Sequence, residues 1–233
     1  FLISKFGISE ESGSIIYSVF YAGIYVLSLV GGIIADKTGK YKGTIQSGLI
    51  IMASGYFMLS IPILATSTNH SWLLAFTCAA LFFIAFGNGL FKGNLQAIVG
   101  QMYDNFEAEA AKKGPEALKD AKSKRDPGFQ IFYVFINVGG LIAPFIAPLL
   151  RGWWLGQNSL TYNAKLPALC HEYLNEGANM AADQMANLQD LGAKVGGNLS
   201  SMSDFCIEYL NVFNTGVHYS FIASVVAMLI SLV

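Results

Sequence analysis

An all-α, polytopic membrane helical bundle is the fold class that this sequence predicts, on three observations. Apolar residues make up 54% of the 233 residues and charged residues only 12%, with a mean hydropathy of +0.48, whereas a soluble domain carries about 25% charge. The apolar residues gather into runs near the roughly 20 residues that cross a hydrocarbon core at about 1.5 Å per residue. The charges gather in the connections between those runs. The formal net charge of −1 says little about partners, and the distribution of charge says more. The lipid bilayer is the expected surround, and no nucleic-acid partner is expected.

Five runs read as spans, over 13–35, 43–64, 72–102, 129–150 and 216–233. The third is long enough to tilt or to project beyond the membrane. The connection 36–42 holds Lys37, Lys40 and Lys42, and the connection 103–128 holds Lys112, Lys113, Lys119, Lys122, Lys124 and Arg125. Elsewhere Lys5, Arg151, Lys165 and Lys194 are spread over much more chain. The positive-inside rule therefore places 36–42 and 103–128 in the cytoplasm and 151–215 outside it. Within 103–128 a short polar helix is expected, broken at Gly114-Pro115. The stretch 151–215 mixes Gly, Asn and Ala with scattered acids and reads as a solvated spacer, with amphipathic helix open to it over 171–195.

No cleavable leader is legible at Phe1-Leu2-Ile3-Ser4. Phe1 to Phe6 reads as the tail of an earlier helix, and the last run reaches Val233 with no charged flank. The whole stretch 1–233 is expected to be one transmembrane unit and a fragment of a longer protein. Three cysteines make no disulfide framework. Cys78 reads as packing within a span, and a bridge between Cys170 and Cys206 in the outer connection is left open.

Lys92 carries the most information, because it is the one charge within the run 72–102. A lysine at mid-bilayer costs about 2.5–3.5 kcal/mol on insertion scales, and such residues mark substrate or ion pathways; the competing reading is a snorkelling lysine. Helical spacing puts Asn88, Lys92 and Gln96 on one face, with Gly89 and Gly93 beside them thinning the helix for close packing. Gly87 to Asn94 is no phosphate loop, since Lys92 follows Phe91 and no Ser or Thr comes next. On the fourth run Gln130, Tyr133 and Asn137 share a face, which suggests a polar lumen, with interhelical bonding as the alternative for Asn137. Pro144 and Pro148 follow and can bend the helix. Tyr17, Tyr21 and Tyr25 form an aromatic stripe that packing alone would also explain. Between the first two runs, Gly32-Ile33-Ile34-Ala35-Asp36-Lys37-Thr38-Gly39-Lys40-Tyr41-Lys42 combines permissive glycines with an acid near bases, which can hold a gate by charge-assisted contacts.

That connection resembles the loop between the second and third helices of the major facilitator superfamily. The other motifs resemble one branch of it, the proton-dependent oligopeptide transporter family. Its fourth helix carries Gly-x-Gly-x-x-Lys-Pro-Asn, matched by Gly87, Gly89, Lys92 and Asn94. Its fifth carries Phe-Tyr-x-x-Ile-Asn-x-Gly, matched by Phe132, Tyr133, Ile136, Asn137 and Gly139. The resemblance covers most of the chain up to Arg151, with three motifs in order. It departs at Gly93, where the family has proline, and at Ser18, where animal relatives have histidine. The first-helix motif Glu-x-x-Glu-Arg, which would hold the main proton carriers and the partners of Lys92, is not in this sequence.

The resemblance implies the superfamily's N-terminal six-helix half with its first helix truncated, completed by a C-terminal six-helix half of the same protein. It implies proton-coupled symport of di- and tripeptides across the cell (inner) membrane, with no cofactor or metal. Lys92 would meet the peptide carboxylate and take part in proton coupling. Tyr25, Tyr133 and Asn137 would line the substrate site, and Gly32, Asp36, Gly39 and Lys40 would form the gating loop. A transporter of nitrate or another small anion is the alternative, because a fixed lysine suits those solutes as well. A membrane-embedded enzyme is not expected, since His70, His171 and His218 lie in connections or at a span edge and no His-Glu-x-x-His occurs. A non-transporting scaffold is the third reading.

Overall fold

The fold comes from a computed structural model that describes residues 1–66 and 68–232, without the side chain of Ala178. Every regular element among them is helical: α1 (Leu2–Phe6), α2 (Glu10–Thr38), α3 (Tyr41–Ser60), α4 (His70–Lys113), α5 (Pro115–Ser123), α6 (Arg125–Gln157), α7 (Leu166–Glu176), α8 (Ala182–Lys194) and α9 (Met202–Ile230), with a 3-10 turn at Gly177–Asn179. Four are long and apolar enough to cross a membrane: α2, α4, the stretch holding α6, and α9. The expected span 43–64 is shorter than predicted. Its helix, α3, ends at Ser60, where Pro62 two residues on cannot continue it, and its glycines, serines and threonine dilute its hydropathy.

The other helices outrun their apolar runs. α2 starts at Glu10 because the Ser9 hydroxyl accepts the Ser12 N–H at 3.2 Å, and Glu10 and Glu11 sit at the positive end of the helix dipole. It stops at Gly39, whose φ of 63° is the left-handed cap that glycine adopts without strain. α4 continues to Lys113, through the first part of the connection expected at 103–128. Glu, Ala and Lys there are polar but strong helix formers. The break falls at Gly114-Pro115, with Pro115 opening α5.

Side by side, the long helices follow the order α2, α4, α3, α9, α6. α3 is the innermost, burying Ile45, Leu49, Met52 and Leu59 against Ala80 and Ile84 of α4. α6 packs along α9, and no residue from Arg125 to Trp154 is fully buried. Arg125, at the start of α6, reaches back to α4 through Asp104 at 2.6 Å and Glu107 at 3.3 Å. Cys78 is exposed and lines an apolar groove between α2 and α4 instead of packing inward.

The connection expected to be a solvated spacer is a packed cap. α7, α8, the end of α6 and the first half of α9 share a core in which Leu155, Leu166, Leu188, Cys206 and Tyr209 are completely buried. Tyr209 Oη accepts the Asn163 N–H at 3.0 Å and donates to the Thr161 carbonyl at 3.2 Å. The Thr161 N–H in turn donates to the Val195 carbonyl at 3.0 Å. These bonds satisfy backbone groups in the 158–165 turn that burial would otherwise leave unpaired. Cys170 and Cys206 are free thiols buried in this core. Contact with Cys206, and then burial, push the Cys170 thiol up from its ordinary value.

Candidate functional site

The glycines of α4 determine where Lys92 can be. A Cβ on Gly87 would meet the Gly48 carbonyl and the Met52 amide of α3, at 2.5 and 2.6 Å. One on Gly89 would meet the Leu27 carbonyl of α2 at 2.7 Å, and one on Gly93 the Ser28 carbonyl at 3.1 Å. From the other side, a Cβ on Gly31 of α2 would strike the Gly89 carbonyl. Gly87 thus admits α3, while Gly89 and Gly93 admit α2, the close backbone approach that small residues allow between membrane helices. Asn94, almost completely buried, locks the α2 contact: its Nδ2 donates to the Gly31 carbonyl at 3.1 Å and to the Leu90 carbonyl at 2.9 Å.

This packing sets the Lys92 ammonium 5.1 Å from the centroid of the Tyr25 ring. A cation over an aromatic face is stabilised by about 0.5–1 kcal/mol at exposed sites and more when water is excluded. The tyrosine stripe continues beneath it. Tyr21 and Tyr25 meet edge to face at 5.3 Å with their hydroxyls 3.2 Å apart, and Tyr17 stacks on Tyr21. Among the described residues Lys92 has no carboxylate within 4.0 Å; the four ion pairs all lie elsewhere. Its charge remains available to an anionic ligand, on an exposed face.

Gln96, one helical turn on from Lys92, donates from Nε2 to Tyr133 Oη at 2.7 Å and so draws α6 to the same face. Asn137, one turn further along α6, is exposed and makes no hydrogen bond among the described residues. Tyr25 and Lys92 are therefore in direct contact, and Tyr133 joins them through Gln96, whereas Asn137 only shares the α6 face. Asn88 departs from its predicted stripe. It turns toward α3, its Nδ2 3.9 Å from the Met52 sulfur, because Gly87 beside it is pressed onto that helix.

In the connection between α2 and α3, Asp36 accepts a hydrogen bond from Tyr41 Oη at 2.6 Å. Its partner is a phenol, not the lysine that the local charge suggested, and Lys37, Lys40 and Lys42 stay exposed. Gly39 serves as the helix cap, and Gly32 has nothing within 4 Å of an added Cβ. The close approach belongs to its neighbour Gly31. Sequence reasoning missed both Tyr41 and the clamping role of Asn94; the only signal for the latter was a polar residue on the glycine-lined side of α4.

Three comparisons bear on this arrangement. The sequence model of the POT family, PTR2, matches residues 42–233. The chain is 34% identical over 149 residues to the peptide transporter YePEPT of Yersinia enterocolitica, covering 64% of this chain and 24% of that protein. It is 32% identical over 163 residues to dipeptide and tripeptide permease B of Shigella dysenteriae, covering 70% of this chain and 28% of the permease. The permease B of Photorhabdus luminescens is 33% identical over 163 residues. The chain spans about a quarter of the length of the curated relatives it matches. No solved structure matches it. With membrane-length helices and a family match over most of its length, the chain is part of an integral membrane protein and belongs to the POT family, a family of transporters and not of enzymes.

Proposed function

We propose that this chain is the N-terminal half of a major facilitator transporter that carries di- and tripeptides into the cell together with protons, by alternating access. The carrying observation is Lys92: an ammonium held over Tyr25, with no carboxylate within 4.0 Å among the described residues, on a face shared by α2, α4 and α6. A peptide carboxylate complements that charge, and Tyr25, Tyr133 and Asn137 offer contacts that ignore peptide side chains. Such contacts fit the names of the relatives, which are a peptide transporter and di- and tripeptide permeases. The open face would be closed by the C-terminal six-helix half, with the substrate near the midplane between the halves. Gly32, Asp36, Gly39 and Lys40 form the cytoplasmic gate in this reading, and 151–215 lies outside the cell (inner) membrane. A proton entering down the potential contributes about 2.3 kcal/mol per 100 mV.

Lys92→Ala in the full-length protein, reconstituted in proteoliposomes, tests the reading. Proton-driven dipeptide accumulation is expected to disappear, and accumulation at the wild-type level overturns the role of Lys92. The same bare ammonium suits a smaller anion, so nitrate transport is the second reading. Unlabelled di-alanine should compete with labelled dipeptide uptake and nitrate should not; the opposite pattern selects nitrate.

A further inference from the structure

The three histidines of the chain are far apart in sequence, yet all converge on α1, a helix of five residues. His70, the first residue of α4, lies with Nε2 3.2 Å from the Phe6 carbonyl oxygen. His171, on α7, lies with Nε2 2.9 Å from the Ser4 carbonyl oxygen. His218, on α9, lies with Nε2 3.2 Å from the Lys5 Nζ. Asn214, one turn before His218, donates to the same Ser4 carbonyl at 3.0 Å and accepts from Ser4 Oγ at 3.2 Å. Lys5, Asn214 and His218 are all buried.

Hydrogen-bonding chemistry restricts the protonation states that this arrangement accepts. The Lys5 ammonium only donates, so His218 Nε2 must accept, and Nδ1 then carries the hydrogen given to the Leu59 carbonyl of α3. His218 is neutral in this contact. A second proton would remove its acceptor and set two cations 3.2 Å apart. His171 donates to its carbonyl in either charge state, but charging it loads more positive charge onto the same helix. Burial lowers the His171 imidazole below the ordinary histidine value; the Ser4 carbonyl opposes this and His70 adds to it.

The other charged groups around α1 do not neutralise it. Glu10 at the start of α2, Glu172 of α7, Arg151 of α6 and Lys165 before α7 line an adjoining cavity of about 920 Å³. None of the acids comes within 4.0 Å of Lys5 or a histidine among the described residues. Among the described residues, the hydrogen bonds that α3 and α9 bring to this cluster are those of the Leu59 carbonyl, His218 and Asn214.

We propose that His171 and His218 form a proton-binding site separate from Lys92, at which protonation releases α1 from α7 and α9. The site clamps α1 in its neutral form. The clamp is complete above the ordinary histidine value of about 6.5 and weakens as pH falls through and below it, because the released state binds protons more readily than the clamped one. This goes beyond the transport reading and holds whatever solute the protein carries.

Hydrogen exchange of the Lys5 and Gly7 amides, which donate to the Phe1 and Ile3 carbonyls, reads the clamp directly in the full-length protein. After correction for intrinsic exchange rates, protection should fall about tenfold between about pH 7.5 and about pH 5.5, the effect of one pKa unit of differential proton binding. His171→Gln with His218→Gln keeps a donor for the Ser4 carbonyl and an acceptor for Lys5 but cannot titrate, and should give a flat profile. Wild-type protection that does not change with pH overturns the proposal, as does an undiminished pH response in the double variant. If the double variant fails to fold, the wild-type profile decides alone: a fall centred in the histidine range supports the site, and a flat one removes it. Transport is not part of the readout, so a failed peptide assay leaves this test intact.

Discussion

α4 and α6 carry the two densest motifs in the chain, and each sets glycines beside a polar side chain, but their surroundings differ. On α4, Gly87 and Gly89 touch neighbouring backbone on two sides, and Asn94 is bonded across to α2. On α6, an added Cβ at Gly139 or Gly140 would find nothing within 4 Å, and Asn137 is exposed. The same kind of motif is thus seated by this chain in one helix and left open in the other. The geometry of Lys92 is fixed locally, by α2 and α3 pressing on α4. The geometry of Asn137 depends on whatever covers α6.

Substitution at a seated glycine is the most damaging way to probe this contrast. Gly31→Val drives a side chain into the Gly89 carbonyl and the Leu90 Cα of α4, which are backbone and cannot swing aside. Overpacking costs about 1–3 kcal/mol and occasionally more, and this site belongs at the upper end. Thermal unfolding of the chain in detergent should show a large drop for Gly31→Val and little change for Gly140→Val. Equal drops would mean that α6 is packed as tightly as α4.

The two asparagines should separate stability from binding. Asn94→Ala removes the bond to the Gly31 carbonyl and leaves a small void, a loss of about 1–2 kcal/mol. Asn137→Ala breaks no hydrogen bond among the described residues and should leave the unfolding midpoint unchanged, while raising KM for dipeptide in the full-length protein. A lower midpoint for Asn137→Ala with unaltered KM would assign that residue to packing and take it out of the substrate site.

The difference between the two helices also marks what the sequence could reveal. Lys92 stood out because a single charge in an apolar run is conspicuous, and its seat on Tyr25 depends only on close packing of α2 and α4, which the glycines announce. Helix ends were less legible, since Glu, Ala and Lys after Met102 continue a helix as readily as they fill a loop. The cap was hidden more thoroughly. Leu166, Leu169 and Cys170 have core spacing, but they sit among Gly and Asn and pack against Phe205, Tyr209 and Phe213, which lie well along the chain. The histidine cluster on α1 was invisible for the same reason, with contacts that join residues 64, 167 and 213 positions apart. Local patterns report local structure, and these sites are made by helices meeting from opposite ends of the chain.

The Gln96–Tyr133 hydrogen bond also joins the two helices, and it tests how far α6 is positioned without a covering layer. It is exposed, so water competes with it, and interhelical bonds of this kind contribute about 0.6 kcal/mol. A double-mutant cycle with Gln96→Ala and Tyr133→Phe should return a coupling of about that size in unfolding free energy. Coupling near zero would leave α6 attached through α9, the Arg125 ion pairs and the stacking of Phe129 on Tyr103, and Tyr133 would reach the Lys92 face only when the rest of the protein brings it there. A coupling well above 1 kcal/mol would instead mean that water is already excluded from the face and that α6 is seated as firmly as α4.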